Sequence, residues 1–239
     1  MLLHSLAMPL TCYACNQEAT TVEHAPPRCI FPEKKDLPPG VDLRKNLITV
    51  PSCEAHNTIR SGDDEYLLYV LPASLGSNET GLHQHLTKVK RAIERRPLLG
   101  TALRREAKEI IVHDTETDTW FKAAATPLDV ARIDGVLAMN ARAIYFHHYG
   151  VRFDGELKVF KNFLLSLVHP DLNECTEEMF KMSDQLFAFH APMGSNPEVF
   201  TYRFERDGNT ELLELVFYGK NKVLIVLTHA ALAEGAWET

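Results

Sequence analysis

Cys12 and Cys15 form a C-x2-C pair, and about forty residues later Cys53 and His56 form a C-x2-H pair. Each such turn aims two donors at one point. Two turns together supply the tetrahedral thiolate and imidazole set that structural Zn2+ accepts. One pair alone would say little, since cysteines are also small buried residues and a histidine is often at the surface. Between the pairs, "VEHAPP" sets Glu23 beside His24 and follows them with two prolines. An adjacent Glu and His acquire meaning only if the chain brings partners to them. Asn57 follows the second pair directly.

The elements needed to position these residues can be read on either side of them. Thr21 and Val22 have β propensity and lead into Glu23 and His24. A Pro-rich loop, "FPEKKDLPPG", precedes a second strand in "NLITVPSC", with Asn46 at its entrance. The second metal pair opens a helix whose later apolar positions are Ile59, Tyr66, Leu67 and Val70. The order is hairpin, loop, return strand, knuckle, helix. A zinc ion would clamp the hairpin base to the helix start, so that His24 and Asn57 face each other across a small cleft.

The string C-x2-C, E-H-x-x-P, N-L, V-P-S-C-x-x-H-N-x-x-R-S resembles the HNH endonucleases and covers residues 11–63, about a quarter of the chain. The resemblance implies a zinc-stabilised ββα-metal finger with His24 as general base, activating water for in-line attack on a phosphodiester. Imidazole suits that task because its ordinary pKa lies near neutrality. It also implies that Glu23 and Asn57 hold one catalytic divalent cation, Mg2+ or Mn2+, through oxygen donors. Asn46 would orient the histidine, and Arg60, one helical turn beyond Asn57, would meet a phosphate. Bland readings accompany these: Asn57 as a helix cap, and Arg60 as an ion-pair partner of Asp63 or Asp64. The chain departs from the family pattern in having His56 where cysteine is usual, Glu23 in place of the commoner Asp, and a lengthened loop carrying Cys29.

With 239 residues, 45% of them apolar, the chain has ample material for a core without staples. The sequence divides into a finger unit over 9–72 and an α+β unit over 83–239, with "PASLGSNETGL" as the linker. Net charge is −7, which at first argues against a nucleic-acid partner. The average hides a split. From His83 to His113 there are eight Lys/Arg against three Glu, whereas from Asp114 onward eleven basic residues face nineteen acidic ones. The basic segment 83–113 reads as helical, broken at Pro97 and Gly100. Lys88, Lys90, Arg91 and Arg95 form either a phosphate-binding arm or a solvated helix face.

Farther on, "TPLD" predicts a helix start with Thr126 as cap and Pro127 in the first turn, running to about His148. Further helices are predicted over Glu156–Val168 and Glu177–His190. "VFTYRFER", "ELLELVFY" and "KVLIVLT", separated by short turns, predict an antiparallel meander. The fold class is therefore α+β: an N-terminal zinc finger, a helical region and a C-terminal meander.

Five cysteines, no membrane-length apolar run and no export signal in "MLLHSLAMPL" point to a cytoplasmic protein without a membrane partner, and the HNH resemblance implies DNA as its partner. Met8 is an alternative start. No base-reading module is present, so low sequence specificity is expected, in a phage-defence or mobile-element setting. A homodimer is the simple route to double-strand cleavage. The competing function is a zinc finger that binds nucleic acid or a protein without cutting. A zinc deaminase is disfavoured because four protein ligands close the ion and the H-x-E…P-C-x-x-C signature is absent.

Overall fold

The computed structural model describes residues 10–57, 61–96, 101, 105–114 and 117–229. The chain mixes helix and sheet. The N-terminal segment forms an antiparallel pair, β1 (Thr21–His24) and β2 (Thr49–Ser52), followed by the short helix α1 (Glu54–Asn57) and by α2 (Ser61–Val70). The Ala25–Pro26 peptide at the exit of β1 is cis.

The segment read as a linker is stitched into the structure rather than left as a tether. Asn78 caps α3 (Glu79–Gln84) through its side chain, and its own N–H bonds to Tyr218 O at 2.7 Å. Asn221 Nδ2 donates to Leu71 O and Ser77 Oγ. Gly81 sits so close to Tyr218 that a Cβ there would lie 3.0 Å from the tyrosine's Cβ and Cγ. The hydroxyl of Tyr218, wholly buried, reaches the backbone carbonyl of Ile30. One apolar cluster runs through both segments, from Cys12, Ile30 and Leu67 to Tyr218 and Ile225.

The predicted basic segment is helical where α3 continues through His85–Val89 into α4 (Lys90–Arg95), and again at Thr101, Arg105 and Glu106. Residues 97–100 and 102–104 lie outside the described residues. Lys108–Asp114 is not helical; it forms β3, paired with β4 (Thr119–Ala125) in a two-stranded hairpin. β-branched and apolar residues dominate this stretch, and alternation wins over the charge count.

Helix α5 (Val130–Tyr149) begins at an Asp129 cap, whose Oδ1 accepts from Arg132 N at 3.1 Å, rather than at Thr126. The aspartate provides a charged acceptor at the positive helix end, and Gly150 closes the helix at φ 72. Glu156–Val168 is not a helix. Glu156–Lys161 is β5, with alternating exposure, and 162–169 is a loop. The third predicted helix starts earlier than expected, as α6 (Pro170–Leu186), with proline in its first turn.

The meander is present and larger than read: β5, β6 (Met193–Asn196), β7 (Phe200–Asp207), β8 (Thr210–Phe217) and β9 (Asn221–Thr228) form one antiparallel sheet in the order β5-β9-β8-β7-β6. Along β8, Leu213, Leu215 and Phe217 join the main core against α5, while Leu212 faces Phe180 and Phe187 at α6. Helices thus cover both sheet faces. The opposite side of α5 packs on α2 and β2, which carries the N-terminal unit onto the sheet.

Candidate metal centre

The two knuckles converge. The donor atoms of Cys12, Cys15, Cys53 and His56 all lie within 4.8 Å of one another. Cys15 Sγ and Cys53 Sγ are 3.8 Å apart, Cys12 Sγ and His56 Nδ1 3.6 Å, and Cys53 Sγ and His56 Nδ1 3.2 Å. A tetrahedron with Zn–S near 2.3 Å and Zn–N near 2.0 Å has edges of about 3.8 Å between sulfurs and about 3.5 Å from sulfur to nitrogen. The donor set therefore fits a closed structural metal such as Zn2+.

Local backbone explains the convergence. Ala14 N–H donates to Cys12 Sγ at 3.4 Å, Tyr13 N–H bonds to Pro51 O, and the N–H groups of His56 and Asn57 bond to Cys53 O. Burial alone would raise the Cys12 thiol, but the N–H groups of Ala14 and Cys53 outweigh it and the net shift is downward. Cys29 stays out of the set. Its thiol lies 3.4 Å from Asp64 O, and burial, with the Asp64 charge, pushes it up to about 12.

Asn57 is held against β1. Its Nδ2 donates to Thr21 Oγ1 and to Val22 O, both at 3.1 Å. A carbonyl partner fixes which amide atom is nitrogen, so Oδ1 is the atom left for a ligand. Glu23 lies on the same strand face as Thr21, because their cross-strand neighbours Val50 and Ser52 are both buried. There it borders a cavity of about 10 Å3 shared with His56, Asp64 and Asn140.

His24 projects from the other face of the strand, alongside Val22 and opposite Thr49 and Pro51. His24 is the last residue of β1, and Asn57 reaches back to the same strand through Thr21 and Val22. Burial and the nearby Arg28 and Arg44 guanidinium groups hold the His24 imidazole below its ordinary pKa of 6.5. Asn46 is exposed in left-handed backbone at φ 50, and no hydrogen bond links it to His24 among the described residues. Arg60 lies outside the described residues.

The basic residues do not form a continuous stripe. Lys88 turns inward and donates to Cys29 O at 2.6 Å, with Glu33 3.7 Å away. Arg91 makes a two-pronged pair with Asp36 at 2.9 and 2.6 Å. Their three-residue spacing puts both on the side of the helix that meets the loop at 29–36. Lys90 and Arg95 are exposed, and Arg95 Nε bonds to Arg91 O.

Two features near this centre and beyond it went unnoticed in the sequence. Arg44, bonded through Nε and Nη2 to Phe31 O, and the exposed Arg28 flank His24. A separate cleft of about 480 Å3 lies between α6 and the start of β9, bordered by Asn162, Phe180, Lys181 and Lys222. Neither carries a spacing signal; both depend on residues far apart in the chain. Among the described residues no helix is long and apolar enough to cross a membrane. The chain shows no significant match to any protein-family model, curated protein or solved structure, so the centre is defined by its own geometry.

Proposed function

We propose that the chain is a metal-dependent endonuclease of the HNH type, hydrolysing DNA phosphodiester bonds with low sequence specificity in a defence or mobile-element setting. The observation that carries this reading is the clamping of α1 onto β1 by the Cys12/Cys15/Cys53/His56 set, which puts Glu23 and the Asn57 side chain on one strand face. One carboxylate and one amide oxygen are the hard donors that Mg2+ or Mn2+ takes alongside water. Such a cation, when bound, supplies Lewis-acid stabilisation of charge on the phosphate. His24, kept neutral by its surroundings, takes the proton from the attacking water. Arg28 and Arg44 beside it draw in and orient the phosphate.

The test is nicking of supercoiled plasmid by zinc-loaded protein in Mg2+ or Mn2+. Wild type nicks, and His24→Ala loses activity by about 100-fold or more, the usual contribution of a general base. A second reading, a zinc module that binds without cutting, is favoured by one observation. Glu23 borders a cavity with room for about one water, where the buried Asn140 Nδ2 has no hydrogen-bond acceptor among the described residues. There Glu23 would serve the packing of α5. DNA retention with no nicking in either metal would establish that alternative.

A further inference from the structure

Helix α6 covers the sheet with Phe180, Ser183 and, just past its end, Phe187. The adjoining face carries Leu172, Cys175, Met179, Met182 and Leu186, spaced three, four, three and four, with Phe189 three further in the following turn. This is the a/d repeat of a helix that packs along another helix. Among the described residues no helix lies on it. Leu172, Met182, Leu186 and Phe189 are 54, 66, 52 and 98% exposed, and Leu167 and Val168 in the loop entering the helix are 60 and 79% exposed. At about 150–250 Å2 for a fully exposed large side chain, these six present on the order of 700 Å2 of apolar surface. That exceeds the largest patch of an ordinary monomer, roughly 300–600 Å2. It approaches what one subunit gives to a standard interface, about 800 Å2.

We infer that this face is the interface of a homodimer in which two α6 helices pair antiparallel about a two-fold axis. The area argues for a copy of the same chain, since an isologous contact needs only one such face. The charges argue for the direction. Asp171, Glu174, Glu177 and Glu178 crowd the first half of α6, whereas the second half carries Lys181, Gln185 and a single carboxylate, Asp184, which is paired with Lys222. Parallel pairing would set the acidic halves side by side and align the helix dipoles; antiparallel pairing separates the carboxylates and opposes the dipoles. The axis then falls between Met179 and Met182. Glu178 comes opposite Gln185 of the second copy, and Cys175 opposite its Leu186. The inference is independent of the metal centre's chemistry.

Sedimentation of the zinc-loaded full chain over a dilution series tests it. The expected species has twice the 27.0 kDa chain mass. Met182→Glu/Leu186→Glu should weaken dimerisation at least about 100-fold by burying charge without a counter-ion. It should leave the monomer's circular dichroism and Tm unchanged, because both side chains already face solvent. Direction is read by copper-catalysed oxidation. Antiparallel pairing puts the two Cys175 residues eleven positions apart, about 16 Å along the helix, beyond the ~7 Å Cα limit for a disulfide. Wild type should therefore not cross-link through Cys175. Leu186→Cys should form a covalent dimer, and Cys175→Ser/Leu186→Cys should lose it. A monomer at every concentration, a double-glutamate variant that still dimerises, or a Cys175–Cys175 bond in wild type each overturns the inference.

Discussion

The side-chain nitrogen of Asn57 donates to the hydroxyl of Thr21 and to the carbonyl of Val22, both at 3.1 Å, across 36 and 35 residues. That pair of bonds, together with the metal set, decides how α1 sits on β1. Asn57→Ala should cost about 1 kcal/mol, the usual net worth of such bonds, and lower Tm by roughly 2–4 °C. It should also abolish plasmid nicking. Thr21→Val keeps the Val22 bond, so it should show a smaller Tm loss and retain nicking. Equal nicking in wild type and Asn57→Ala would remove this residue from the proposed cation site.

The metal set predicts one Zn2+ per chain by elemental analysis. Because the four donors already fit the tetrahedron, removing the ion takes away the bonds that tie the turn at Cys12 and Cys15 to the start of α1. Chelation, or Cys53→Ala, should lower Tm by about 10 °C, the equivalent of a few kcal/mol in a chain of this size. The loss should reach the C-terminal sheet as well, since Leu213, Leu215 and Ile225 share one apolar cluster with Cys12 and Cys53. A zinc content near zero with unchanged Tm would leave the cluster as four packed side chains.

How much of this was legible depends on the range of the contacts involved. The metal set could be read because each knuckle is local: three-residue spacing aims the donors, and only one long-range convergence had to be assumed. The strands β7 to β9 were legible for the same reason, as short alternating runs with turn residues between them. β5 was misread because "ELKVFK" runs without a break into the apolar "FLLSLV", which mimics a helix face. The supposed linker was misread because its Gly, Ser and Asn serve close packing and capping against Tyr218 and Asn221, more than 130 residues away. The basic stripe failed similarly: Asp36 and Glu33, which engage Arg91 and Lys88, stand some 55 residues upstream.

Cysteine chemistry should separate the free thiols. Cys29 is pushed up to about 12, so at pH 8 only about one molecule in 10^4 carries the thiolate that alkylating agents attack. In zinc-loaded protein treated briefly with iodoacetamide, Cys29 should stay unmodified by mass spectrometry. Its rate should rise about tenfold per pH unit with no plateau below pH 11 while the fold persists. Exposed Cys175 should react readily in the Met182→Glu/Leu186→Glu variant. Early labelling of Cys29 at pH 8 would contradict its burial against Asp64.

A buried charge pair gives the sharpest stability prediction. Glu214 lies fully buried on the α6 side of the sheet, where Arg203 Nε donates to its Oε2 at 2.9 Å and Nη2 reaches the same oxygen. Lys222 Nζ stands 4.0 Å from Oε1, and Arg203 Nη1 also caps the chain at Phe187 O at 2.9 Å. Arg203→Met strands the carboxylate in the core and frees the Phe187 carbonyl, so a loss of about 3–5 kcal/mol is expected. In a chain this long that lowers Tm by roughly 10 °C. Replacing both groups, Arg203→Met with Glu214→Leu, removes the stranded charge and should recover most of the loss. The double-mutant cycle measures the coupling directly. Additive single losses would mean that Lys222 alone already compensates Glu214, and that the guanidinium contributes only its bond to the Phe187 carbonyl and its stacking over the Phe187 ring.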